Sequence, residues 1–283
     1  MKAPRFIRRL VELAPSPQPP LIRLRHPLLL MHGFGAMANL VQCGVLHEEA
    51  IYLRARGVLA YAPHVNPYDT VQTRAEAWAD RLEGILQETG ATKVNLIGFS
   101  SAGLDARFLA ETLGYATHIA SVITVACPHR GSPLAAWVLD QPAWLRRPTI
   151  AVMNGMGASA YEAIPPQAEA GLRELTPKAV TRRFDPARPL PDSIYSASVS
   201  SRAGKGAPVA IQYVPLMVTN QLLHHLAGVN DGIVPTSSMA WGEHLATVDA
   251  DHATLVGMKL VPGGYDSKRF YASLASHLAA RGL

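Results

Sequence analysis

The sequence predicts an α/β fold, a mostly parallel sheet flanked by helices, and three observations carry that prediction. Short apolar runs at 27–31, 58–62, 92–97 and 121–126 alternate with segments of helical period. That alternation means parallel strands wound by right-handed crossovers. The third observation is a serine, Ser100, set where the third run turns into a helix.

Residues 1–25 carry Pro15, Pro17, Pro19 and Pro20 and read as an irregular leader. Residues 26–283 read as one domain. Its first strand, Pro27 to Met31, is apolar at nearly every position, as a strand buried on both faces should be. It runs into His32-Gly33-Phe34-Gly35-Ala36, a glycine-rich loop that lets the Phe34 N–H point into a cleft. Residues 38–56 look helical, and the strand at 58–62 stops at Pro63. Residues 70–88 form an amphipathic helix with Trp78, Leu82, Ile85 and Leu86 on one face.

The run at 92–97 leads through Gly98-Phe99-Ser100-Ser101-Ala102-Gly103 into a helix over 102–113. A serine on so sharp a strand-to-helix turn is a nucleophile elbow. The turn lifts its Oγ clear of the sheet, and the helix N-terminus sets the Ser101 N–H beside it. The Ser101 side chain has no role in that reading. The usual pattern, Gly-x-Ser-x-Gly, here ends in Ala102, the next smallest residue, and Gly103 follows at once. The strand at 121–126 ends in Cys127-Pro128-His129-Arg130-Gly131-Ser132. Sites in such sheets lie at the C-terminal strand ends, where Phe34, Ser100 and His129 all fall.

Regularity then breaks down. The segments 133–190 and 208–228 exceed what a sheet connection needs, and they read as a helical cap over the cleft. Between them, 192–201 returns to a strand pattern. Asn230-Asp231-Gly232 is a polar turn bearing an acid, 244–249 is the last strand, and Ala250-Asp251-His252-Ala253 follows it. A helix over 267–280 closes the chain.

A serine nucleophile needs a base, and the base needs an orienting acid. In sheets with such an elbow the chain order is Ser, then Asp or Glu, then His. Of the 11 histidines only His252 lies in the loop after the last strand. Asp231 ranks first as the acid. Asp249 and Asp251 are rivals, but stand too close to His252 in sequence to come from a separate strand end. Ser100, Asp231 and His252 are therefore the candidate catalytic residues, with the N–H groups of Phe34 and Ser101 as the candidate oxyanion hole.

Composition narrows the classes. The chain has 283 residues, 48% of them hydrophobic, which suits one large α/β domain. A formal charge of +5 comes from scattered basic residues rather than a stripe, so nucleic acid is not the expected partner. No apolar run reaches the length of a membrane span. No secretory signal is recognisable at the N-terminus, so the expected location is the cytoplasm, or outside the cell if the chain is a mature form. Cys43 and Cys127 imply no disulfide framework, and Cys127, ending an apolar strand, reads as a buried free thiol.

Several stretches together resemble the bacterial true lipases of the Pseudomonas and Burkholderia type, within the α/β-hydrolase fold. They are His32-Gly33-Phe34, the run from Lys93 to Leu104, Pro128-His129-Arg130-Gly131-Ser132, Leu175-Thr176-Pro177, Asn230-Asp231-Gly232, and His252. The resemblance spans roughly 26–280 and implies Ser100, Asp231 and His252 as the triad, with the middle of the chain as a lid. The chain departs from the pattern at Phe99 and Ala102, where the family usually has His and Gly. The family also braces its histidine loop with calcium through an acid two residues after the histidine, where Thr254 stands here.

The expected activity is hydrolysis of apolar carboxylic esters or lipids through an acyl-enzyme, without cofactor or metal and with possible contact to a lipid interface. The same machinery suits an acyltransferase, a thioesterase or a polyester depolymerase. A non-catalytic hydrolase-fold binding protein is the remaining alternative. Acyl-chain preference and oligomeric state are left open by the sequence.

Overall fold

The computed structural model describes residues 19–35, 44–160, 165–185, 190–258 and 264–283. At its centre are β1 (Leu28–Met31), β2 (Ala60–Tyr61), β3 (Val94–Phe99), β4 (Ile119–Val125), β5 (Tyr195–Arg202) and β6 (Glu243–Asp249). They form one sheet in the order β2-β1-β3-β4-β5-β6, with every neighbouring pair parallel.

Every residue of β1, β3 and β4 is buried because helices cover both faces. The two-residue period of a strand sorts their side chains. Leu28, Leu30, Ile97, Phe99, Ile123 and Val125 pack with Leu53 of α1 (His47–Arg54) and with Leu274 and Leu278 of α9 (Ser267–Ala280). Leu29, Met31, Val94, Leu96 and Val122 face the other way. They meet Trp78 and Leu82 of α2 (Val71–Thr89) and Leu104 and Phe108 of α3 (Ala102–Glu111).

Local chemistry sets the helix ends. The Thr70 hydroxyl accepts the Thr73 N–H at the start of α2, and Gly90, with φ of 66°, closes it. The Asp266 carboxylate accepts the Arg269 N–H at the start of α9.

Two expectations shift. The strand expected at 58–62 pairs only at Ala60–Tyr61, because the Val58 N–H bonds back to the Leu53 carbonyl at the end of α1. The helix expected at 38–56 is present as α1, and 36–43, with Cys43, lie outside the described residues. So do residues 1–18 of the leader. The rest of it is tied down: the Ile22 N–H donates to Arg56 and the Arg25 N–H to the last carbonyl, that of Leu283.

Between β4 and β5 come α4 (Pro133–Leu139), α5 (Ala143–Ala160), α6 (Ala168–Glu174) and α7 (Pro177–Arg183). Helix α8 (Leu216–Ala227) lies between β5 and β6 and packs on α4. Residues from α4, α5 and α6 build a small separate core around Tyr68, with the Phe34 ring at its edge.

Candidate active site

Ser100 follows directly on β3 with φ of 57°, a left-handed backbone at a non-glycine residue. Its N–H donates to the Val125 carbonyl at the end of β4, at 2.8 Å. The surroundings hold this strained turn by close packing. A Cβ on Gly98 would lie 2.8 Å from the Ala102 carbonyl group, and one on Gly103 would lie 2.6 Å from the Cys127 sulfur. Ala102 is tolerated because Gly98 and Gly103 provide the close strand-to-helix approach. Cys127 is a buried free thiol, as the sequence suggested.

The structure brings Ser100, His252 and Asp231 into one hydrogen-bonded line. The Ser100 hydroxyl lies 2.9 Å from His252 Nε2, and His252 Nδ1 lies 2.7 Å from Asp231 Oδ2. With Nδ1–H donating to Asp231, Nε2 is the acceptor for the serine hydroxyl. The His252 N–H also donates to the Asp231 carbonyl, so the two residues are joined through backbone as well as side chain.

Asp231 is fully buried, and its carboxylate is saturated. Oδ1 accepts the N–H groups of Ile233 and Val234 at 3.0 and 2.8 Å. Oδ2 takes the Ser201 hydroxyl at 2.7 Å besides the imidazole. Asn230 fixes the turn: its side-chain oxygen accepts the Gly232 N–H and the Asn220 amide, and its own amide reaches the Asn220 and Gly228 carbonyls.

The run from Pro128 to Ser132 supports this loop rather than reaching Ser100. Ser132 donates its hydroxyl to the Ile233 carbonyl, Arg130 its guanidinium to Ala240, and the Arg130 N–H bonds to Ser238. The Ser132 N–H takes the Leu175 carbonyl. Gly131, with φ of 75°, passes so close to Pro177 that a Cβ would come within 2.5 Å. Three sequence motifs thus meet at one support. His129 is sealed beneath it, stacked on Trp241 and bonded to Thr124. Burial first, and then Arg107 and Arg130, hold its imidazole well below the usual range.

The glycine-rich loop after β1 packs onto the elbow. A Cβ on Gly33 would come within 2.6 Å of the Ser100 Cβ and 3.0 Å of the Ser101 nitrogen. The Phe34 N–H donates to the Ser101 hydroxyl at 2.7 Å, a role for that side chain absent from the sequence reading. The Phe34 ring stands edge-on to Tyr68. Behind the loop, Arg74 donates to the His32 carbonyl and pairs with the buried Asp105 of α3, tying the glycine-rich loop to the elbow helix. Burial, then the Arg74 charge, lowers His32 to about 3. The Val65 N–H donates to its Nε2, which suits the neutral ring.

A cavity of about 220 Å³ opens beside His252. Val45, Phe99, Leu216, Ile233, Val256 and Met258 make most of its wall, and Gly33 and Phe34 reach it from the loop after β1. The Phe99 ring, where the resemblance expects a histidine, lies 4.7 Å from the His252 ring centre. Of the two expected cap segments, 208–228 contributes Leu216 to the wall, while 133–190 meets Phe34 from behind through Gly171 of α6.

No family model matches the chain. Among curated proteins it is 35% identical over 124 residues to a triacylglycerol lipase of Pseudarthrobacter phenanthrenivorans. It is also 35% identical over 124 residues to a triacylglycerol lipase of Burkholderia plantarii. The matched stretch is 41% of this chain, and 37% and 33% of those proteins, so the chain spans about a third of the length of these relatives. Among solved structures, a metagenomic carboxyl esterase superposes with a TM-score of 0.73 at 16% identity, over 95% of this chain and 79% of that one. The mature lipase of Bacillus licheniformis superposes with a TM-score of 0.64 at 19% identity, over 92% and 96%. The fold is that of the α/β-hydrolases.

Within this fold, the rival acids have other partners. Asp249 bonds the Arg202 guanidinium at 2.7 Å on the surface. Asp251 is buried, and its Oδ1 accepts the Ala253 and Thr254 N–H groups while Oδ2 accepts those of Gln212 and Tyr213. Calcium requires six to eight oxygen ligands, usually with carboxylates among them. Here the Asp251 oxygens are taken by N–H donors and the Thr254 hydroxyl donates to the Asp251 carbonyl, so these residues do not fit a calcium ion. Among the described residues no group of three or more His, Cys, Asp or Glu is placed to hold a metal. No helix among them is long and apolar enough to cross a membrane.

Sequence reasoning missed Ser201, Asn220, Arg74 and the structural use of Asp251. Each is a buried polar residue with at least one partner on another element of the chain, such as Asp105 for Arg74 or Gln212 for Asp251, and a single chain carries no signal for such a pairing.

Proposed function

We propose that the protein is a serine carboxylic ester hydrolase of lipase or esterase type, acting on apolar acyl esters. The observation that carries this reading is the Ser100–His252–Asp231 line opening onto an apolar cavity. The named relatives and structural neighbours, lipases and esterases, support it.

In this reading the Ser100 Oγ attacks the ester carbonyl while His252 Nε2 takes its proton. Asp231 stabilises the imidazolium and keeps its Nδ1 proton in place. The Phe34 and Ser101 N–H groups receive the oxyanion, and the Phe34 N–H does so by exchanging or sharing its bond to the Ser101 hydroxyl. His252 then returns the proton to the leaving alcohol. Water, deprotonated by the same imidazole, releases the acid from Ser100. The segments 133–190 and 208–228 act as the cap: Leu216 forms cavity wall and α6 backs Phe34, so both bear on the acyl site.

The test is hydrolysis of p-nitrophenyl esters from acetate to palmitate. Medium-chain esters should give a higher kcat/KM than acetate, because the cavity wall is apolar. A profile that favours acetate would limit the pocket to short acyl groups, and no hydrolysis of any ester would overturn the reading.

A further inference from the structure

Asp251 precedes His252, yet its carboxylate bonds elsewhere. The side chain is 1% exposed and has no cationic partner among the described residues. Four backbone N–H groups converge on it instead. Those of Ala253 and Thr254, at 3.1 and 2.9 Å, begin the turn that follows His252. Those of Gln212 and Tyr213, at 2.7 and 3.0 Å, belong to the segment that enters α8. Leu216, three residues after Tyr213, forms part of the cavity wall beside His252. The Leu255 N–H and the Thr254 hydroxyl add bonds to the Asp251 carbonyl.

A buried carboxylate is costly unless its lone pairs are satisfied, and charge-assisted bonds to N–H groups are the strong kind. One oxygen secures the loop that carries the histidine, and the other secures the chain that carries the wall. A single side chain therefore fixes both relative to one another.

We propose that Asp251 is a positioning residue that clamps the His252 loop to the cap segment at Gln212 and Tyr213. Through this clamp one carboxylate sets both the reach of His252 to Ser100 and the wall against which the acyl chain lies. The inference rests on His252 acting as the base in the proposed function.

The test compares wild type, Asp251→Asn and Asp249→Asn with p-nitrophenyl acetate and octanoate. An asparagine keeps one acceptor oxygen but turns an NH2 toward a pair of N–H donors, so one arm of the clamp must open. A sub-ångström drift of the base is expected to lower kcat for both esters by about tenfold to a hundredfold. Loss of the wall is expected to raise KM for octanoate several-fold while KM for acetate stays close to wild type. Asp249→Asn, on the surface, should change neither.

Unchanged kcat in a folded Asp251→Asn protein would overturn the proposal. So would a fall in kcat with the octanoate-to-acetate ratio of KM unaltered, because only one side of the clamp would then matter. If the variant does not fold, amide hydrogen exchange on the wild-type protein decides. The amides of Gln212, Tyr213, Ala253 and Thr254 should be protected to the same degree, as parts of one unit. Free exchange at Gln212 and Tyr213 beside protected Ala253 and Thr254 would overturn it. A wild-type protein that hydrolyses no ester would overturn the proposed function instead, and the exchange measurement would still judge the clamp.

Discussion

The Phe34 N–H and the Ser101 hydroxyl are bonded to each other at 2.7 Å, across the gap between the glycine-rich loop after β1 and the elbow. The bond orients the Phe34 peptide, and in the proposed mechanism it makes Ser101 more than a source of one N–H. Removing one oxyanion donor costs about 10²- to 10³-fold in kcat. Ser101→Ala loosens a donor without removing it, so kcat should fall about tenfold, with KM little changed. Steady-state kinetics on that variant checks this. A rise in kcat would show that the hydroxyl obstructs the site.

Asp231→Asn should cost far more activity than Asp249→Asn. The Asp231 carboxylate meets His252 Nδ1 at 2.7 Å and receives three further donors. An amide there favours the wrong imidazole tautomer, and in the analogous serine-protease triad that change costs about 10⁴-fold. Asp249 pairs only with an Arg202 that is itself partly exposed. The comparison is kcat/KM for the two variants, and equal losses would displace Asp231 as the acid.

Acid should destabilise the fold through its two sealed histidines. His32 is lowered to about 3 and His129 is held well below its usual range, each chiefly by burial. Both stay neutral when folded, whereas the unfolded chain protonates them below about 6.5. The stability they contribute is therefore fully present above about pH 6.5 and is lost as pH falls below it, for His32 until about pH 3. For His32 the slope is about 1.4 kcal/mol per pH unit in that window. Tm measured at pH 7.5, 6 and 5 should fall progressively, and more steeply in wild type than in His129→Gln. A Tm that holds constant down to pH 5 would contradict this.

Chelation should leave the protein unaffected. The oxygens around His252 are already occupied by protein donors, four of them on Asp251 alone. Excess EDTA should alter neither the rate nor Tm. A drop in either, restored by added calcium, would show that an ion braces the loop.

Much of this architecture was readable from one chain because it follows from local pattern. The apolar runs gave β1, β3 and β4 their places, and the small residues around Ser100 gave the elbow. Asp231 and His252 were found by chain order, and they lie in line with Ser100. Register and support were not readable. The link from Ser201 to Asp231 joins β5 to the turn that carries the acid, 30 positions on. The bond from Ser132 to the acid loop spans 101 positions. The Arg74–Asp105 pair depends on how α2 lies against α3. Leu255 and Val256, both buried, pack just after His252, but the carboxylate of Asp251, which holds that loop, was seen only as a rival acid.

The most direct measurement is kcat/KM for p-nitrophenyl octanoate with wild type and Ser100→Ala. Ser100 carries the strained backbone and the hydroxyl that faces His252. The expected result is a loss of roughly 10⁴- to 10⁶-fold in the variant, with an unchanged Tm. Near-normal hydrolysis by a folded Ser100→Ala protein would contradict the central claim.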